Sequence, residues 1–277
     1  MAEINTVIIF FSKDRAMQLD AAISSIRMHC NDLHSVQKFV IFKISSKIHE
    51  NQYKLLKEEN HDFIFVEETK VVQQILDLAE SFEFVSFHCD DNIYIRDFSF
   101  AKAVGILTRN KLVLAHSFRL GKNVTYSYTK NSPELQPKFF VSEDQKTLCW
   151  DWTKMKHRGF GYPLEVSASV YHSKDVLPLI AKNPNVAVGN IESYFKNYRG
   201  TFANSSPLLT CEALPSVISV PVNRVGVVHN QAGQTHSYSI RDLASKFSEG
   251  FRIDTTRFNN YITNVTHIEL EFSFERR

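Results

Sequence analysis

Four apolar runs of strand length lie in the first ninety residues: Thr6 to Phe11 (TVIIFF), Lys38 to Ile44 (KFVIFKI), Asp62 to Val66 (DFIFV) and the run from Phe84 (FVSF). Segments of helical character separate them. Leu19, Ala22, Ile23 and Ile26 recur at helical spacing after the first run. His49 to Glu59 reads as a polar helix after the second, and Val71, Val72, Ile75, Leu76 and Leu78 follow the third. Strands alternating with helices at this interval predict βαβ units, right-handed crossovers and an α/β fold with a mostly parallel sheet covered by helices on both faces.

A sheet of this kind gathers its ligands beyond the carboxyl ends of its strands. The residues to watch therefore follow the first, second and fourth runs: Ser12, Lys13, Asp14 and Arg15, then Ser45, then Asp90 and Asp91. In the first loop a helix amino terminus and two cations can meet a pyrophosphate, and Asp14 can accept from a base or ribose. A charged loop between strand and helix is equally an ordinary solvated turn. The pair Asp90 and Asp91 suits a hard divalent cation chelated by a diphosphate, but Asp-Asp-Asn is also common turn chemistry, because Asp and Asn cap their own backbone. No GxGxxG and no Walker glycine-lysine pattern follows the first strand, so neither a dinucleotide fingerprint nor a phosphate-binding loop of that kind is supported.

With 277 residues, 43% of them hydrophobic, the chain can bury a full core. Its 32 basic and 30 acidic residues leave a net charge of +2, without the basic footprint expected of nucleic-acid binding. Cys30, Cys89, Cys149 and Cys211 form no CxxC pair, which argues against a zinc framework or a small disulfide scaffold. The apolar run near the N-terminus is too short for a signal segment or a membrane span, so a reducing cytosol is expected, with peripheral contact to a membrane face left open.

Beyond residue 110 the pattern changes from βα units to short strands. A soft boundary there separates a nucleotide-sugar-binding half, 1–110, from an acceptor-binding half, 111–277, within one domain. Leu112 to Phe118 reads as a strand leaving through an Arg119-Leu120-Gly121 turn. Trp150 and Trp152 flank Asp151 ahead of Gly159 and Gly161, an arrangement that serves either as a sugar platform or as core anchoring. Glu192 sits on a predicted helix from Val186 to Tyr198. Pro215 to Val222 reads as a further strand, Ser239 to Phe247 as an amphipathic helix, and Thr266 to Glu275 as a half-exposed strand alternating Ile268, Leu270, Phe272 and Phe274 with His267, Glu269, Glu271 and Ser273.

The ordered set FFSKDRAMQLDAAISSI, FEFVSFHCDDNIYIR, GYPLEVSASVY, NPNVAVGNIESYF and VISVPVNRV resembles the glycosyltransferases of the Rossmann-like GT-A fold, in particular small bacterial family-2-like members, over residues 5 to 230. The resemblance implies transfer of a sugar from a nucleotide-diphosphate donor, UDP-linked by expectation, to a saccharide or lipid-linked saccharide acceptor in surface polysaccharide synthesis, commonly with Mn2+ or Mg2+. Its acidic motif, Asp-any-Asp or a degenerate form, falls on Cys89, Asp90 and Asp91 or on Asp90, Asp91 and Asn92. In either frame Asp91 is the acidic residue assigned to the metal, with Asp90 toward the ribose. The resemblance further implies a general base, Glu192 ahead of Asp151, and a C-terminal histidine on the metal, His229 or His267. Two rivals share the acidic cation site: a sugar nucleotidyltransferase, disfavoured because SKDRAMQL lacks glycine, and a catalytically idle nucleotide-sugar or carbohydrate-binding module.

Overall fold

The computed structural model describes residues 5–141, 146–155, 159–225 and 232–277. Its strands are β1 (Thr6–Lys13), β2 (Gln37–Lys43), β3 (Ile64–Glu67), β4 (Phe84–Cys89), β5 (Asn92–Tyr94), β6 (Val113–Ser117), β7 (Tyr126–Ser127), β8 (Ser132–Pro133), β9 (Phe140–Val141), β10 (Thr147–Asp151), β11 (Ser169–His172), β12 (Leu208–Glu212), β13 (Val217–Ser219), β14 (Phe251–Ile253) and β15 (Phe274–Arg276). The helices are α1 (Ala16–His29), α2 (Lys47–Glu59), α3 (Val71–Ala79), α4 (Phe100–Arg109), α5 (Ser173–Ala181), α6 (Val188–Phe195), α7 (Arg199–Phe202) and α8 (Ile240–Ser248).

One sheet of nine strands, in the order β3-β2-β1-β4-β11-β6-β12-β10-β9, runs through both halves of the chain. β1, β2, β3, β4, β6 and β12 point the same way; β11 and β10 oppose them. This is the mixed α/β, mostly parallel arrangement that the GT-A resemblance implies. Three two-stranded ribbons, β13 with β5, β14 with β15 and β7 with β8, supply the smaller antiparallel portion.

The period of two in a strand explains why β1 is apolar without interruption. Ile8 and Phe10 face a core built with α1, α2, α4 and α8, whereas Val7, Ile9 and Phe11 face a second core built with α3, α5 and α6. Both faces are covered, so no polar side of the strand is needed. The second core absorbs both tryptophans. Trp150 and Trp152 are 0% and 1% exposed, and their indole N–H groups donate to the carbonyls of Phe160 at 2.8 Å and Ser206 at 2.9 Å. The sugar-platform alternative is therefore corrected: these rings are core anchors with their polar ends satisfied. Trp150→Ala is expected to lower unfolding free energy by about 3–5 kcal/mol in urea titrations, the usual cost of removing a large buried ring.

Two strands in the middle of the sheet, β11 and β12, were not expected. Conversely, the expected strand over Thr266 to Glu275 is reduced to β15 and a single bridge from His267 to Ser219. The alternation fails there because Glu269 is buried. Its carboxylate accepts from the backbone N–H groups of Gln234 (3.2 Å), Thr235 (2.7 Å) and His236 (2.8 Å) and from the Tyr128 hydroxyl. A carboxylate so well supplied with donors can replace an apolar residue on the inner side.

Candidate active site at the carboxyl edge of the sheet

The exits of β1, β2, β4, β6 and β12 lie along one edge of the sheet, and the chain turns there on charged residues. Asp14 has φ 55°, the left-handed region that Asp tolerates better than most residues. That turn aims its carboxylate at Ser45 beyond β2, whose N–H donates at 2.8 Å and whose hydroxyl donates at 2.7 Å. The first and second loops are thereby tied together, and the two predicted residues are partners of each other.

Asp90 is likewise committed to the protein. It is 4% exposed, pairs with the Arg15 guanidinium at 3.0 Å, and accepts from the Ser12 hydroxyl at 2.9 Å and the Lys13 N–H at 3.3 Å. Ser12 shares a further hydrogen bond of 2.5 Å with the Tyr53 hydroxyl, and Arg15 also donates to the Asn223 carbonyl. Asp90 therefore fastens the first loop to the end of β4. Lys13 stands apart from this network: its ammonium has no carboxylate partner among the described residues.

The neighbouring Asp91 differs in kind. Its carboxylate takes no hydrogen bond from any other described residue, and its backbone carbonyl accepts from Val220 at 2.8 Å. Burial pushes its carboxyl up to about 6, Asp90 adds to the rise, and Arg15 and Arg119 oppose it. The two aspartates thus divide the work: one is paid off by the fold, the other is left short of positive charge. Asn92 is wholly internal, accepting from the Cys89 N–H at 2.9 Å and donating to Ser167 and Ser219 at 3.0 Å each.

Arg119, at the exit of β6, was read only as part of a turn. Its buried guanidinium pairs with Glu165 and donates to Ser219 at 3.3 Å and to Nε2 of His267 at 3.2 Å. Glu165 in turn accepts from Ser117 at 3.3 Å and Ser169 at 2.5 Å. Arg119 also acts electrostatically on Cys89 and Asp91, and Glu192 on α6 acts on Arg119 and Cys89. The acidic exit of β4, the buried Arg119–Glu165 pair and Glu192 therefore belong to one neighbourhood. The signal that might have marked Arg119 was its charge at the end of a strand whose other residues are buried.

The remaining predicted residues are placed as follows. His267 reaches this neighbourhood, but its Nε2 lone pair accepts from Arg119 and its Nδ1 lies 3.1 Å from the Thr266 hydroxyl; burial and Arg119 lower its pKa to about 3. In this structure it is a neutral hydrogen-bonding partner of Arg119. His229 lies outside the described residues. Asp151 is corrected on position. β10 runs against β12, so Asp151 pairs in register with Leu208 at the start of β12, on the opposite edge of the sheet. There its carboxylate caps the turn through Thr153 N–H at 3.0 Å and pairs with Lys154 at 3.1 Å.

Among the described residues no three His, Cys, Asp or Glu side chains gather into a metal cage. Magnesium-type ions, however, are commonly held by one or two carboxylates together with substrate phosphates, so a complete protein cage is not required. Asp91, half-buried, uncommitted and short of positive charge, fits such a role.

Parts of the chain resemble known proteins. Over 188 residues the chain is 27% identical to the bifunctional glycosyltransferase pgtA of Dictyostelium discoideum, a match covering 62% of this chain and 24% of that protein. The chain is similar to a glycosyltransferase. It spans about a quarter of that relative's length. No protein-family model matches it. Among solved structures, a mannosyltransferase from Pyrobaculum calidifontis, determined with GDP-Man and Mn2+, aligns at 13% identity and a TM-score of 0.45, over 76% of this chain and 57% of that one. S. aureus TarS aligns at 9% identity and 0.47, over 77% and 36%. An inositol-1-phosphate CTP transferase from T. maritima aligns at 11% identity and 0.42, over 90% and 98%.

Proposed function

We propose that the chain is a glycosyltransferase that moves a sugar from a nucleotide-diphosphate donor, UDP-linked in our reading, to a saccharide or lipid-linked saccharide acceptor. The observation that carries the proposal is Asp91: a carboxylate without a side-chain hydrogen bond from any other described residue at the exit of a central strand, beside one that is paired with Arg15. The glycosyltransferase relative supports the same reading over 62% of the chain. No described helix is long and apolar enough to cross a membrane.

In this proposal the donor lies along the edge where the first two loops meet, with Lys13 directed to its phosphates and the Asp14–Ser45 clamp holding the two loops in register. Arg15 keeps Asp90 neutralised, so that Asp91 is the uncompensated member of the pair that faces the donor. A divalent cation held by Asp91 and the donor's diphosphate would supply Lewis acidity to the leaving group. The acceptor hydroxyl needs a general base within hydrogen-bond reach, and we assign that role to Glu192, a carboxylate of this neighbourhood on the acceptor side. Arg119, locked to Glu165, keeps positive charge beside both Asp91 and Glu192 without being free to leave.

Glu192→Gln tests the assignment of the base. Transfer is expected to fall by about 10²–10⁴-fold, the range usual for loss of a general base, while nucleotide-sugar affinity in calorimetry stays within about twofold. Turnover at the wild-type rate would reject Glu192 as the base.

A further inference from the structure

A concavity lies beside the first turn of α4 and the exits of β6 and β12. It encloses about 520 Å³, the size of a small-molecule site. Phe98, Phe118 and Leu148 form its floor, and the exposed Val141 and Leu214 form an apolar lip. Among the described lining residues, Arg96, Lys102, Lys122 and Lys146 stand with the carboxylates of Asp97 and Glu212. Neither carboxylate answers the positive charge of Arg96 or Lys122. Asp97 turns to His29 at 3.0 Å, and Glu212 is held by Lys102 at 2.7 Å.

Arg96 is the unusual member. Its guanidinium is tied to three backbone carbonyls, those of Pro215 at 2.8 Å, Asn260 at 3.0 Å and Tyr261 at 2.5 Å, and no carboxylate pairs with it among the described residues. Burial lowers its pKa, the mark of a cation that lacks a counter-charge. Lys122 likewise has no acidic partner among the described residues. The N–H groups that open α4 add nothing, because Asp32 already accepts from Phe100 at 3.0 Å and Ala101 at 2.7 Å.

We propose that this cavity binds a phosphate monoester carried on an apolar or aromatic body, independently of the glycosyl-transfer reading. Three of the N–H groups of Arg96 are spent on backbone carbonyls, both of those on Nη2 included, so it contributes chiefly field, and Lys122 contributes a mobile point charge. Recognition by point charges favours a doubly charged phosphate over a singly charged carboxylate. The apolar lip and aromatic floor accept the remainder of the ligand.

The probe is phenyl phosphate, titrated calorimetrically into the full chain with benzoate and phenol as controls. Saturable 1:1 binding is expected for phenyl phosphate, with both controls at least tenfold weaker. Lys122→Glu, an exposed change not expected to affect folding, should weaken phenyl phosphate at least tenfold, and Leu214→Trp should do the same by filling the lip. Nucleotide-sugar affinity should be unchanged in both variants, which separates a failure here from a failure at the carboxyl-edge site. Cosedimentation with phosphatidic acid vesicles but not phosphatidylcholine vesicles would identify a lipid headgroup as the source of the phosphate; soluble binding without cosedimentation would identify a free ester. Absence of binding in both formats, or equal affinity in wild type and Lys122→Glu, would overturn the proposal.

Discussion

Asp91→Asn is expected to abolish sugar transfer while making the protein more stable at neutral pH. The stability gain follows from the sign of the shift. The Asp91 carboxyl is pushed from 3.8 up to about 6 in the folded chain. Between those values the folded protein holds a proton that the unfolded chain has lost, so stability falls as pH rises through that window, and the penalty is complete above it. A shift of this size is worth about 1–3 kcal/mol. Asn imitates the protonated acid and escapes the penalty. Thermal unfolding of wild type and variant should therefore coincide near pH 4 and diverge in favour of the variant above pH 6. Transfer by the variant should fall at least about a hundredfold, because the carboxylate kept at this cost is the one proposed to serve the donor. Stability gained with activity lost is the usual signature of a strained functional group. A variant less stable than wild type at pH 7 would mean that Asp91 is supported by the fold and not held against it.

The adjacent residue is expected to behave in the opposite way. Asp90→Ala removes the partner of a guanidinium whose side chain is 11% exposed, along with acceptors for the Ser12 hydroxyl and the Lys13 N–H. Breaking a buried pair from one side leaves an uncompensated charge and costs about 3–5 kcal/mol. The loss should appear in urea titrations at pH 7, and removing both charges in Asp90→Ala with Arg15→Met should recover a large part of it. A double-mutant cycle measures the coupling directly. Additive effects of the two single changes would show that the pair contributes nothing specific.

Nothing in Asp-Asp as a sequence separates these roles. The distinction depends on which carboxylate the β4 exit aims at Arg15, and Arg15 lies 75 positions away in the chain. The first four strands were legible because each is dominated by apolar residues and bounded by charged loops; β1, β2 and β4 are largely buried, whereas β3 lies at the sheet edge with Ile64 exposed. β11 and β12 were not, since SVYH and LLTCE are short and mix hydroxyl and thiol side chains with apolar ones. Their pairing is also long-range: Ser169 meets Phe87, and Cys211 meets Ser117. Strand direction was equally hidden, and it is direction that carries Asp151 to the opposite edge. Arg119 was passed over for a related reason: a cation in Arg-Leu-Gly looks solvated until Glu165 and His267 arrive from distant segments. Glu192, in contrast, was marked by the resemblance, and its charge acts on Arg119 from α6.

The central claim, that a nucleoside diphosphate is held beside Asp91 at the carboxyl edge of the sheet, is tested most directly by calorimetric titration of UDP, GDP, ADP and CDP with Mn2+ into wild type and Asp91→Asn. Saturable 1:1 binding of at least one diphosphate, weakened tenfold or more in the variant, is the expected result. Binding of none of them, or binding with the same affinity in both proteins, would contradict it.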